Sequence, residues 1–183
     1  MSVRRASSLF VVAATVASAL VASCGYGPVH GGSGTKEPLH VVLAESKIPD
    51  AAASDEVVAG VRESLARGGH LAPGDGYPRC EVEILRADEA SEGIAASPDS
   101  TGGFSPRSRA TRVGIVARAW ILRTKGGERE RDTGDVRAFE TVTVAADARG
   151  ATFRHSDALR AAGRRVGSRL AARIMGLPAS SDE

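Results

Sequence analysis

The sequence predicts an α+β fold: a two-layer sandwich with two amphipathic helices on one face of a small mixed sheet of about four strands, in the order β-α-β-β-β-α. Three patterns carry that expectation. Val57, Val58, Val61 and Leu65 recur at helical spacing. Cys80, Val82 and Ile84 alternate with Glu81 and Glu83, and the same two-residue period returns over 112–124. Leu159, Val166, Leu170 and Ile174 form a second helical stripe near the carboxy terminus. One domain, residues 39–178, is built from these elements, with 179–183 a polar tail.

Before that domain, Arg4 and Arg5 precede an uncharged apolar run from Leu9 to Val21. The run is shorter than the roughly 20 residues that span a bilayer, and it fits the apolar region of a secretory signal peptide over residues 1–23. Val21, Ala22, Ser23 and Cys24 then resemble a bacterial lipobox, an aliphatic residue and two small ones before the cysteine that is acylated. Each buried CH₂ contributes about 0.8 kcal/mol, so two or three acyl chains on Cys24 would hold the protein at a membrane nearly permanently. The alternative is cleavage after the small residues, with Cys24 left as a free thiol. Gly25 is not the aspartate that, at this position in the lipoproteins the segment resembles, favours inner-membrane retention, so the outer membrane is expected. Residues 24–38 hold five glycines and two prolines with no apolar periodicity, the composition of a flexible tether. With Cys24 acylated, Cys80 has no partner in the chain and reads as a small buried hydrophobe.

Removing residues 1–23 takes Arg4 and Arg5 from the 24 basic side chains, which then equal the 22 acidic ones. A neutral domain lacks the cationic surplus that displaces counterions from phosphates, so nucleic acid is not an expected partner.

Within the domain, LHVVLAE (39–45) is short, apolar and rich in valine, the pattern of a buried strand. Ser54 is placed as the cap of the first helix, with Asp55 and Glu56 at the positive end of its dipole, and Gly68 with Gly69 ends it. Cys80–Arg86 follows as a strand whose Glu81 and Glu83 form a solvated face. Residues 87–111, rich in Ala, Ser, Gly and Pro, are expected to leave the sheet as a long excursion. In the next strand Val113, Ile115, Ala117, Ala119 and Ile121 share one face, while Gly114, Val116, Arg118, Trp120 and Leu122 share the other. Both faces are apolar enough to be covered, as in an interior strand. The charged turn 125–135, with Gly126, Gly127 and Gly134, connects to a last strand over 136–145. Ser156 is placed as the cap of the final helix, Gly176 and Pro178 stop it, and Arg160, Arg164, Arg165, Arg169 and Arg173 occupy much of its outer surface.

His30, His40, His70 and His155 fall in separate segments with no two at metal-ligand spacing, and neither HExxH nor CxxC occurs, so no metal, no cofactor and no catalytic residue is expected. His155, Ser156 and Asp157 adjoin, but a helix start accounts for the last two. One stretch stands out: FSPRSRATR (104–112) places Arg107, Arg109 and Arg112 beside Phe104 with no acid in the segment. Guanidinium forks match phosphates and the ring suits acyl or sugar surface, so an anionic amphiphile such as lipopolysaccharide is a candidate ligand. A solvated Arg-rich loop is the plainer account.

Taken together, the lipobox and SCGYG, then LHVVLAE, DEVVAGVRESLARGG, CEVEILRA, RVGIVARAWILRT with its charged turn, and ALRAAGRRVGSRLAARIM give a layout that resembles the LPS-assembly lipoproteins of the LptE type. The resemblance covers nearly all of the chain after residue 23, as order and short patterns, and the lipobox is its one specific motif. AESKIPDAAAS departs from the Asn-rich or aromatic stretch frequent in that family after the first strand. The likeness implies a non-enzymatic lipoprotein, anchored in the outer membrane and facing the periplasm. Its role would be to assist assembly of, and plug, the β-barrel that exports lipopolysaccharide. Arg107, Arg109 and Arg112 are assigned to lipopolysaccharide on charge alone. The alternative is an outer-membrane lipoprotein that scaffolds or activates peptidoglycan synthesis.

Overall fold

In the computed structural model, which describes residues 37–98, 101, 102, 104–143 and 148–177, the chain forms β1 (His40–Ser46), α1 (Ala51–Arg67), β2 (Arg79–Pro98), β3 (Phe104–Leu122), β4 (Arg129–Glu130), β5 (Val136–Thr143) and α2 (Ala148–Ile174). Side chains are described except at 91–98, 104–109, 143 and 148. The expected signal peptide, Cys24, the tether up to residue 36 and the polar tail lie outside the described residues. All the described residues belong to the unit Gly32–Glu183.

The strand order is β1-β2-β3-β4, with β5 also paired to β3. β1 runs parallel to β2 and every other pairing is antiparallel, so α1 supplies the crossover that parallel neighbours require. The predicted α+β architecture is therefore the observed one. Cys80, Val82 and Ile84 of β2 and Val113, Ile115, Ala117, Ala119 and Ile121 of β3 meet Val57, Val61, Leu65, Val166, Leu170 and Ile174 of the helices in one buried core. These are the residues that the two periods place on the inner faces.

Three local expectations are corrected. Asp50, not Ser54, caps α1: its Oδ1 accepts from the Ala53 amide at 2.9 Å, and the helix starts at Ala51. Asp is as good a cap as Ser, and the alanines behind it favour an early start. Ser54 is buried in the first turn, its hydroxyl 2.9 Å from that of Ser46. α2 likewise begins at Ala148, which leaves Ser156 inside it and Asp157 paired at 3.3 Å with Arg160, an i,i+3 contact rather than a cap. Residues 87–111 do not leave the sheet. β2 and β3 stay paired from Arg79↔Leu122 to Pro98↔Phe104, with shifts after Ile84, Gly93 and Ala95. Ala87, Glu89 and Ala90 are exposed, so no apolar alternation is needed there and backbone pairing holds the ribbon.

The helix layer depends on glycines that no apolar pattern reveals. A Cβ on Gly167 would lie 2.1 Å from the Val57 carbonyl oxygen, one on Gly60 2.4 Å from that of Arg164, and one on Gly163 2.8 Å from that of Ala53. α1 and α2 thus touch backbone to backbone, and Ser64 donates to Ser168 at 3.1 Å in the same seam. On its other side α2 lies along β5. Arg165 Nη1 donates to the Phe139 carbonyl at 3.1 Å, Arg169 to that of Arg137, and Arg173 Nη1 to that of Thr133 at 2.8 Å. Arg131 Nη1 returns a bond to the Ile174 carbonyl at 2.9 Å. Arginines expected only as helix surface therefore bind the edge of the sheet.

Gly167→Ala tests the seam. The added methyl meets backbone that cannot rotate away, so overpacking should outweigh the gain in helix propensity and leave a net loss of about 2 kcal/mol. Urea unfolding measures it, and stability equal to or above that of the parent would contradict the close approach.

Candidate functional site

The sheet face away from the helices carries most of the polar chemistry. Glu81 and Glu83, expected on a solvated strand face, are instead drawn into contacts across strands. Glu83 is only 4% exposed. Its Oε1 accepts from Lys47 Nζ at 2.8 Å and its Oε2 from Arg118 Nε at 2.8 Å and Nη2 at 2.7 Å. Lys47 follows β1 and Arg118 lies on β3 in register with Glu83, so one carboxylate clasps three neighbouring segments. The hydrogen bond from Lys47, then those from Arg118, hold the Glu83 carboxyl below the ordinary range, while the same bonds raise both cations.

One step along the same face, Glu81 accepts from Trp120 Nε1 at 3.1 Å and pairs with Arg79. The Arg129 guanidinium lies 3.9 Å above the Trp120 ring, and Arg79 lies 4.5 Å from the Tyr77 centroid. Trp120 is 3% exposed as a result. Farther along, the Phe139 ring covers Gly114, where a Cβ would sit 2.3 Å from Phe139 Cδ1, and Arg112 lies 4.8 Å over that ring. Arginines and three aromatics thus form a covering layer, their stems shielding apolar surface while the charged heads reach solvent.

Of the residues assigned from sequence, Cys24 lies outside the described residues. Arg107, Arg109 and Arg112 are on β3, not in a loop. Gly93 is the register partner of Arg109 and Ala90 that of Arg112, so the strand facing this basic stretch is one that carries Asp88, Glu89 and Glu92. Positions 109 and 112 are three apart in unbroken register and fall on opposite faces of the ribbon. The side chains of Arg107 and Arg109 are outside the described set. Cys80 is fully buried in the core, and burial, helped by the nearby Glu81 charge, pushes its thiol up to about 12, which keeps it protonated and inert.

His40 lies on β1, His70 beyond the end of α1 and His155 within α2. Among the described residues, no group of three or more His, Cys, Asp or Glu could hold a metal ion. A groove of about 420 Å³ runs beside Gly60, Glu63, Arg67, Glu140, Arg164 and Arg165. Its charges are already matched: Arg67 with Glu63, Arg165 with Glu140, and Arg164 with Glu56.

The Glu83 clasp makes a signed prediction about acid. A carboxyl depressed in the native state stabilises the fold fully above its ordinary value of 4.5, and that stabilisation is lost as pH falls through the native value. Glu83→Gln should therefore be less stable than the parent at neutral pH, with the gap closing below about pH 4. Urea midpoints measured from pH 2 to 7 would show this, and a gap independent of pH would remove the clasp.

No protein-family model matches the chain, and no curated protein matches it. Among solved structures it is similar to a minor lipoprotein from Acinetobacter baumannii, at 12% identity over 79% of this chain and 100% of that one, with a TM-score of 0.48. It is also similar to rare lipoprotein B from Shewanella oneidensis, at 9% identity over 72% of this chain and 89% of that one, with a TM-score of 0.41. A third likeness is to an uncharacterized lipoprotein B from Nitrosomonas europaea, at 11% identity over 74% and 83% of the two chains, with a TM-score of 0.37.

Proposed function

We propose that the chain is a non-enzymatic, acylated lipoprotein of the outer membrane, facing the periplasm, whose α+β domain assists assembly of, and plugs, the β-barrel that exports lipopolysaccharide. The observation that carries the proposal is Cys24, placed directly after the apolar run and joined by a glycine-rich stretch to a domain that begins at β1. The element order supports it as the order the family resemblance implies. Arg107, Arg109 and Arg112 would meet the anionic headgroups of lipopolysaccharide from the ribbon.

The reach of the tether favours a partner in the same membrane. Glu37 is held at the domain, its carboxylate accepting from Arg123 Nη1 at 2.8 Å while Arg123 also binds Glu130. Read from composition as a tether, residues 24–36 would span ~20 Å at about 5–6 Å × √n. That distance is short for an inner-membrane synthase across the periplasm, which weighs against a role in activating peptidoglycan synthesis.

Purification of the full chain from its native envelope in mild detergent should retain a large β-barrel, and Cys24→Ala should release the chain from the membrane fraction. Recovery of the chain alone, or membrane association undiminished in Cys24→Ala, would sink the proposal. A peptidoglycan synthase in place of the barrel would establish the alternative.

A further inference from the structure

β5 pairs with β3 along one side, and among the described residues no strand pairs with its other side. Which of its groups face that free side follows from β3. The Ala119 N–H donates to Thr133 Oγ1 at 3.0 Å and the Ala119 carbonyl accepts from the Thr133 N–H at 2.9 Å, so Ala119 turns its backbone groups toward the segment that leads into β5. Backbone direction alternates along a strand. Ala117 and Ile115 therefore point the same way and bond their register partners Val136 and Ala138, which leaves Arg137 and Phe139 with their own N–H and C=O groups turned outward.

Those outward carbonyls are the ones that α2 reaches. Arg165 Nη1 donates to that of Phe139 at 3.1 Å, and Arg169 Nη1 to that of Arg137. The spacings match, since four helical residues rise about 6 Å and two strand residues about 7 Å, so one arginine per turn meets one outward carbonyl. Arg165 is also held by Glu140. What the arginines cover is a strand apt to pair: Val136, Phe139, Thr141, Val142 and Thr143 favour extended backbone. Its two charged residues, Arg137 and Glu140, cancel, so two copies of β5 would meet without net repulsion. A strand added at this edge would need the same two carbonyls.

We propose that Arg165 and Arg169 guard this edge: by occupying the outward carbonyls of β5 they keep a second copy of the chain from extending the sheet by a strand. The inference rests on backbone direction and the arginine contacts, and is independent of the lipoprotein reading.

Arg165→Met with Arg169→Met preserves much of the two stems and removes the donors. Sedimentation equilibrium of the full chain in density-matched mild detergent reads the outcome. The parent should stay monomeric, whereas the Met variant should approach about twice the parent's mass as its concentration is raised. Thr141→Pro added to the Met variant should return it to the monomer. Thr141 follows the same alternation, so its N–H faces outward, and proline there leaves the bonds to β3 intact while barring an added strand. A parent as associated as the Met variant, a folded Met variant that stays monomeric, or association undiminished by Thr141→Pro would each overturn the proposal. If circular dichroism shows that the double Met variant does not fold, Arg165→Met alone, which uncovers the Phe139 carbonyl, carries the same three readings.

Discussion

Backbone contact between α1 and α2 at Gly60, Gly163 and Gly167 sets the geometry of the helix layer. Because the glycines put no side chain between the backbones at these points, the stripes on either side of the crossing descend together onto β2 and β3, and Leu65, Val166 and Leu170 enter the same core as Ile84 and Ile115. The close approach also fixes where α2 runs. Its Arg165, Arg169 and Arg173 repeat every four residues and reach the carbonyls of Phe139, Arg137 and Thr133 along and just before β5.

The opposite face of the sheet is closed by other means. Two helices cannot cover both sides of β3, yet Val116 and Trp120 are as buried as the core residues that alternate with them. Arginine stems and aromatic rings lie flat across the strands, anchored by Glu81 and Glu83, whose charges are satisfied by three cations and an indole N–H. A carboxylate this buried is tolerable only with such partners. The glycine at 114 is part of the same solution, since it lets the Phe139 ring rest against the strand.

Among the described residues no strand pairs with β2 beyond Ile84 on the side away from β3, and the β2–β3 ribbon is also where Arg107, Arg109 and Arg112 lie. Basic residues on β3 and acidic ones on β2 give its two strands opposite character in sequence.

The sequence by itself determined the main element types and the inner-face residues Val57, Val61, Leu65, Cys80, Val82, Ile84, Ile115, Leu170 and Ile174, because periodicity is a local property of the chain. It did not disclose the starts of α1 and α2, since Asp50 competes with Ser54 as a cap and none of residues 149–158 of α2 is buried. Nor did it disclose the ribbon, where the adjoining exposed residues Glu89 and Ala90 break the alternation that announces a strand. Only the tertiary structure decided that Glu83 meets Lys47 and Arg118, that three glycines seat one helix on the other, and that arginines of α2 bind carbonyls along β5. Each of these depends on register and approach between segments tens of residues apart, which spacing along the chain cannot encode.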